Sequence, residues 1–231
     1  MLAQAQPTPI ASWSFDKQEK NTYVGVGKGT FTYAGAVVEA GVVSGRVVTV
    51  ANGKKGGAAS FTEQPPGFIR VPIDLSLIAA KGFSVSFWLR PVGLTSLYGT
   101  CVDFGSSKGF VIRLNSTNRL TLSLGGKWNV ITTTERLVDP VWTHIALTFD
   151  GTLTRFYVGG FEVGNDPDMD ITRLGSDLFL GAVEENVKSP DGSSVITTVK
   201  PLFGDLDELQ IYAQALTPAE IAKAAGVKPA R

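Results

Sequence analysis

Alternation with a period of two runs through this chain. Phe83, Val85, Phe87 and Leu89 alternate with Ser84, Ser86, Trp88 and Arg90. Leu120, Leu122 and Leu124 alternate with Thr121 and Ser123, and Ile145, Leu147 and Phe149 with His144, Ala146 and Thr148. Successive side chains of an extended strand point to opposite faces, so each run lays one row on a core and the other on the outer face of a sheet. Gly125-Gly126, Asp150-Gly151 and Gly159-Gly160 punctuate the runs, and such pairs supply the positive φ values of tight hairpins. Further strands are expected at 10–15, 36–38, 47–50, 58–61, 68–71, 98–104, 110–114, 130–134, 155–158, 178–180, 196–199 and 206–212. Many short strands separated by turns predict an all-β, antiparallel, two-sheet sandwich.

One helix interrupts the β pattern near the C-terminus. Thr217 is placed as an N-cap, Pro218 at the first helical position and Glu220 to complete a capping box. Ile221, Ala224 and Ala225 form its apolar stripe, and Gly226 ends it. Residues 10–231 read as one domain behind a flexible tail, 1–9. In that tail Ala3-x-Ala5 matches the small-residue pattern of a signal-peptide remnant, which points to a secreted, periplasmic or cell-surface protein.

Composition narrows the function classes. The 231 residues are 43% hydrophobic and only 18% charged, with 26 glycines, as suits strands joined by tight turns. Lys+Arg and Asp+Glu are equal at 21 each, so no basic excess draws the chain to nucleic acid or to anionic membranes. No apolar run reaches the roughly 18 residues that span a bilayer. Cys101 is the single cysteine, which excludes an internal disulfide, and its apolar surroundings predict a buried, inert thiol.

Four segments together resemble the laminin-G-like domains of the concanavalin A-like lectin/glucanase superfamily: 82–91 (GFSVSFWLRP), 142–151 (WTHIALTFDG) followed by 155–160 (RFYVGG), 178–182 (LFLGA), and 203–212 (FGDLDELQIY) followed by 215–221 (ALTPAEI). Residues 11–16 and 57–61 extend the likeness, whereas 17–45 lack the acidic loop common in such domains. The resemblance implies a jelly-roll sandwich in which the first and last strands lie side by side. Such folds serve as sugar-binding modules, adhesion domains, glycan-cleaving enzymes and spacers, so activity has to come from the site.

The candidate chemistry follows from that list. A sugar presents apolar C–H faces that stack on aromatic rings and hydroxyls that need polar partners. Trp128, in the hairpin 125–129, is the first candidate platform, with Arg113, Asn115 and Tyr157 as neighbouring ligands; Tyr98 and Tyr33 are weaker. The competing reading is that Trp128 covers a core edge. The resemblance also implies a structural Ca²⁺, which takes six to eight oxygen ligands, and Asp16, Asp205 and Asp207 fall where the terminal strands should meet. A glycoside hydrolase needs two carboxylates flanking a bond; Asp205-Leu-Asp-Glu208 is an incomplete match, while Glu184-Glu185 and Asp168-Met-Asp170 are placed on loops. His144 stands alone as a histidine and reads as structural. The expected function is a non-catalytic carbohydrate- or surface-binding module of a secreted protein, its partner a polysaccharide or glycan, with a structural or protein-interaction domain without a sugar ligand as the alternative and a same-fold glycoside hydrolase behind it.

Overall fold

The computed structural model describes residues 7–19, 22–24, 26–27, 34–38, 47–62, 66–73, 78, 82–93, 97–105, 108–175, 177–188 and 194–228. Tyr33 and the Ala3-x-Ala5 pattern lie outside them. In chain order the strands are β1 (Ala11–Trp13), β2 (Gln18–Glu19), β3 (Thr22–Val24), β4 (Val26–Gly27), β5 (Ala34–Val38), β6 (Val48–Val50) and β7 (Ala58–Ser60). Then come β8 (Phe68–Pro72), β9 (Phe83–Pro91), β10 (Tyr98–Phe104), β11 (Phe110–Asn115), β12 (Leu120–Leu124), β13 (Lys127–Thr132) and β14 (Thr143–Phe149). The last are β15 (Thr154–Val158), β16 (Phe161–Asp166), β17 (Asp177–Leu180), β18 (Val183–Lys188), β19 (Ser194–Val199) and β20 (Gly204–Tyr212), followed by the helix α1 (Pro218–Ala224).

The first sheet has the order β16-β15-β14-β9-β20-β1-β4, with β6 and β7 attached through β20. The second has the order β13-β12-β11-β10-β17-β8-β5-β3-β2, and β18 and β19 form a separate ribbon. The terminal strands are neighbours, as expected: Ala11 pairs with Ile211 and Trp13 with Leu209.

The alternating rows meet between the sheets. Phe83, Val85, Phe87 and Leu89 of β9, with Ile145 and Leu147 of β14, face Phe110, Ile112 and Leu114 of β11 and Leu120, Leu122 and Leu124 of β12, all buried. Phe83 and Phe110 stack across the gap with ring centroids 6.1 Å apart. Trp13, fully buried, joins the same core, and Cys101 is buried within it with its thiol pushed up to about 12 by burial. The all-β jelly-roll sandwich with one short C-terminal helix is therefore the observed fold.

Three segments depart from the expected pattern. β13 starts at Lys127, three residues early, so Trp128 lies on a strand and the turn is Gly125-Gly126 alone. There Gly125 has φ 61° and any Cβ would lie 2.0 Å from the Asp168 carbonyl oxygen. Glu184 and Glu185 belong to β18, paired with Thr198 and Thr197, and not to a loop. β16 was unexpected because its Phe161, Val163 and Asn165 alternate with acidic residues and Gly164 and carry no apolar face wide enough to signal a buried strand.

Candidate functional site

Trp128 sits on β13, the edge strand of the second sheet. Leu124 pairs with Lys127 and Leu122 with Ile131, so residues 128–130 stand opposite the single residue Ser123. That bulge, with Asn129 at φ 52°, breaks the alternation and turns the indole away from the core. Trp128 is 56% exposed. The Arg113 guanidinium lies 4.5 Å from its centroid, a cation–π contact worth roughly 0.5–2 kcal/mol. It fixes the ring's plane and leaves the opposite face to solvent. Tyr98 and Asn129 extend the patch, the Asn129 side-chain amide reaching the Tyr98 hydroxyl at 3.4 Å. Lys127 borders it, paired with Asp168.

Behind Trp128 runs a polar row on the sheet's outer face. Thr100 pairs with Arg113, and Arg113 with Thr121. All three are buried, and the Thr100 and Thr121 hydroxyls have no hydrogen-bond partner among the described residues. Of the residues expected to neighbour Trp128, Arg113 is the one brought against its ring.

The two other expected ligands are engaged elsewhere. The Asn115 Oδ1 accepts from the Thr117 and Arg119 backbone N–H groups and from the Thr117 hydroxyl, so it shapes the turn after β11. Tyr157 is on β15 of the other sheet, 1% exposed, packed with Ala146, Tyr212, Leu216 and Ile221 beneath α1. Strand periodicity tells which residues share a face, but not which sheet a strand joins.

The acidic residues are committed to protein donors. Asp205 receives the Arg90 Nε and Nη2 at 2.8 Å each, and the Arg90 guanidinium also lies over Trp142. Asp207 accepts the Lys55 backbone N–H at 3.0 Å and the Glu208 backbone N–H at 2.7 Å; burial lifts its pKa to about 6 against the pull of those bonds. Asp16 accepts the Gly57 N–H at 2.7 Å. Asp16 and Asp207 therefore pin the 54–57 loop, and Asp205 neutralises Arg90. No group of three His, Cys, Asp or Glu side chains suited to a metal ion occurs among the described residues. The same commitments leave Asp205-Leu-Asp-Glu208 without a free carboxylate pair for glycoside hydrolysis. Asp168 pairs with Lys127, and Asp170 caps the 3-10 turn Ile171–Arg173.

A second concavity was not legible in the sequence. On the outer face of the first sheet Trp88, His144, Glu208, Gln210 and Tyr212 line a cleft of about 340 Å³, walled by Lys223 and Ala224 of α1 and by Pro7 and Pro9. Trp88 and His144 pair across β9 and β14, their rings 5.2 Å apart and edge-on. The Lys54 ammonium lies 3.9 Å from the Trp88 ring centroid. Burial, with Lys54 adding to it, pulls the imidazole pKa down to about 4, so His144 is neutral near pH 7. A third, apolar cleft of about 450 Å³ is lined by Val138, Val141, Phe161 and Val163, all exposed, among others.

Comparison with known proteins adds a context for these surfaces. Domain 4 of an extracellular arabinanase from Geobacillus stearothermophilus, solved with arabinotriose, superposes with a TM-score of 0.67 at 24% identity, over 96% of this chain and 100% of that domain. A botulinum neurotoxin type C structure, described as dependent on two ganglioside molecules for cell entry, gives 0.62 at 16% identity over 94% of this chain. The botulinum neurotoxin DC binding domain, solved with rat synaptotagmin II, gives 0.64 at 15% over 94%. This chain spans about half of those two toxin chains, 51% in each case. These likenesses establish the fold. No protein of curated function matches the chain in sequence. The family model of the concanavalin A-like lectin/glucanases superfamily matches residues 66–222, and the chain belongs to that superfamily.

Proposed function

We propose that this chain is a non-catalytic carbohydrate-binding module of a secreted protein, with Trp128 as its sugar platform. The observation that carries the reading is a tryptophan 56% exposed on an edge strand, its ring backed by a buried arginine. The part of the ring left in water gains nothing for the fold, whereas covering it with a sugar's C–H face removes apolar area at about 25 cal/mol per Å². Tyr98 and Asn129 beside it offer partners for hydroxyls. The arabinotriose complex of the arabinanase domain and the ganglioside dependence of the toxin agree with a glycan ligand. Secretion is favoured by the extracellular character of the arabinanase, and no described helix is long and apolar enough to cross a membrane.

One aromatic platform supports weak binding, because association itself costs several kcal/mol. The test is retention on insoluble arabinan, xylan, cellulose and chitin. Wild type should bind at least one in the micromolar to millimolar range, and Trp128→Ala should lose about tenfold or more, roughly 1.4 kcal/mol, while the fold stays cooperative and the melting temperature falls by no more than the few degrees that loss of the Arg113 contact entails. Equal retention by the variant would overturn the assignment. Absence of retention on all four would favour a second reading, a protein-interaction domain, which the exposed Val138, Val141, Phe161 and Val163 around the apolar cleft support.

A further inference from the structure

We infer that the cleft between α1 and the outer face of the first sheet is a second binding site, shaped for a neutral polyhydroxylated ligand such as one sugar unit or a chain end. It is separate from Trp128, which lies on the opposite sheet. Its volume, about 340 Å³, falls within the ~300–1,000 Å³ typical of small-ligand pockets.

The floor is set by strand register. Trp88 pairs with His144 on one side and Asp207 on the other, and alternation points all three away from the core residues Leu89, Ile145 and Leu206. Between Asp207 and Gln210 the register shifts, and Glu208 takes φ 49°. A non-glycine residue in the left-handed region is unfavourable, and such strain is retained where surrounding structure or function demands it. Here the shift adds a carboxylate to the cleft between Trp88 and Gln210.

The polar groups match hydroxyls in number and kind. The Tyr212 hydroxyl donates to the Gln210 Oε1 at 2.6 Å, which orients that amide and leaves its NH₂ as a donor. Glu208 supplies acceptors and Lys223 donors. Each sugar hydroxyl both donates and accepts, so a vicinal pair satisfies such a mixed set. His144 is 3% exposed and lines the cleft. Trp88, held between Lys54 and His144, forms an apolar wall and not an open stacking face.

Charge selects neutrality. An anion entering the cleft meets the Glu208 carboxylate, and a cation meets the Lys223 ammonium; a neutral polyol meets no like charge.

His144 is the only histidine, so its imidazole gives a single, unambiguous NMR reporter. The full chain and its Trp128→Ala variant are titrated with arabinose, glucose and galactose, and with free alanine as a zwitterionic probe. The expected result is a saturable shift of the His144 signals by at least one sugar in both proteins, with apparent affinity reduced about tenfold in Gln210→Ala. Lys223→Ala, on the exposed side of α1, replaces Gln210→Ala if that variant melts lower. Stationary His144 signals with every sugar would overturn the second site and leave the Trp128 reading intact. A shift seen in wild type but absent in Trp128→Ala would mark it as an echo of the first site. A shift with alanine and with no sugar would overturn the ligand class.

Discussion

Trp128 and Trp88 show how one side chain serves two ends: the first offers a face to solvent, the second walls a cleft whose ionisable neighbours are buried. Burial works in opposite directions on two of those neighbours. His144 titrates at about 4 in the fold against 6.5 ordinarily. Between those values the unfolded chain binds the extra proton, so the stability tied to neutral His144 is fully present above pH 6.5 and is lost as pH falls toward 4, by roughly 3 kcal/mol at most. Asp207, raised from 3.8 to about 6, acts in the other sense: the folded chain binds the proton, and stability falls as pH rises through that interval. The wild-type profile sums both. Melting temperature against pH for wild type and His144→Gln should therefore show the variant losing less stability on acidification from pH 6.5. Parallel curves would mean that His144 is not held neutral by its burial. The neutral imidazole was hidden in the sequence, where His144 is merely one polar position in an alternating strand. Asn115 and Tyr157 misled for the same reason: a residue type suited to sugar contact says nothing about the turn or the sheet that claims it.

At the level of elements, local signals were legible and long-range ones were not. The capping box is present as the residues 217–220 imply: the Thr217 hydroxyl accepts the Glu220 N–H at 3.3 Å, and the Glu220 carboxylate accepts the Thr217 N–H at 2.7 Å. All of its chemistry lies within four residues. Thr217→Ala should cost roughly 0.5–2 kcal/mol, a fall of a few degrees in the melting temperature of a chain this size. An unchanged melting temperature would show that packing of Ile221 and Leu216 against Tyr212, and not the cap, holds α1. Strands β9, β12 and β14 were equally plain because one face of each is uniformly apolar. β18 hid its strand character behind the polar run Glu184-Glu185-Asn186, whose pairing with β19 is invisible to periodicity. The early start of β13 was hidden too, because the bulge at 128–130 breaks the very alternation that marks a strand.

For the molecule as a whole, two sheets closed over one aromatic and aliphatic core leave each outer face to a different task. The second sheet turns an indole outward at its edge, backed by Arg113. The first carries the loop pinned by Asp16 and Asp207, the helix α1 and the cleft floored by Trp88 and His144. The superfamily's architecture could be read from segments 82–91 and 142–151, since core alternation is what those segments encode. The cleft could not, because it forms where β9, β14, β20, α1 and residues 7–9 converge from distant parts of the chain. The central claim is that a glycan lands on Trp128, and the indole N–H signals of the four tryptophans test it most directly. On titration with arabinotriose, or with an oligosaccharide of whichever polysaccharide retains the chain, the Trp128 signal should shift saturably while that of the buried Trp13 stays in place. A chain that holds its polysaccharide while the Trp128 signal remains stationary would contradict the account.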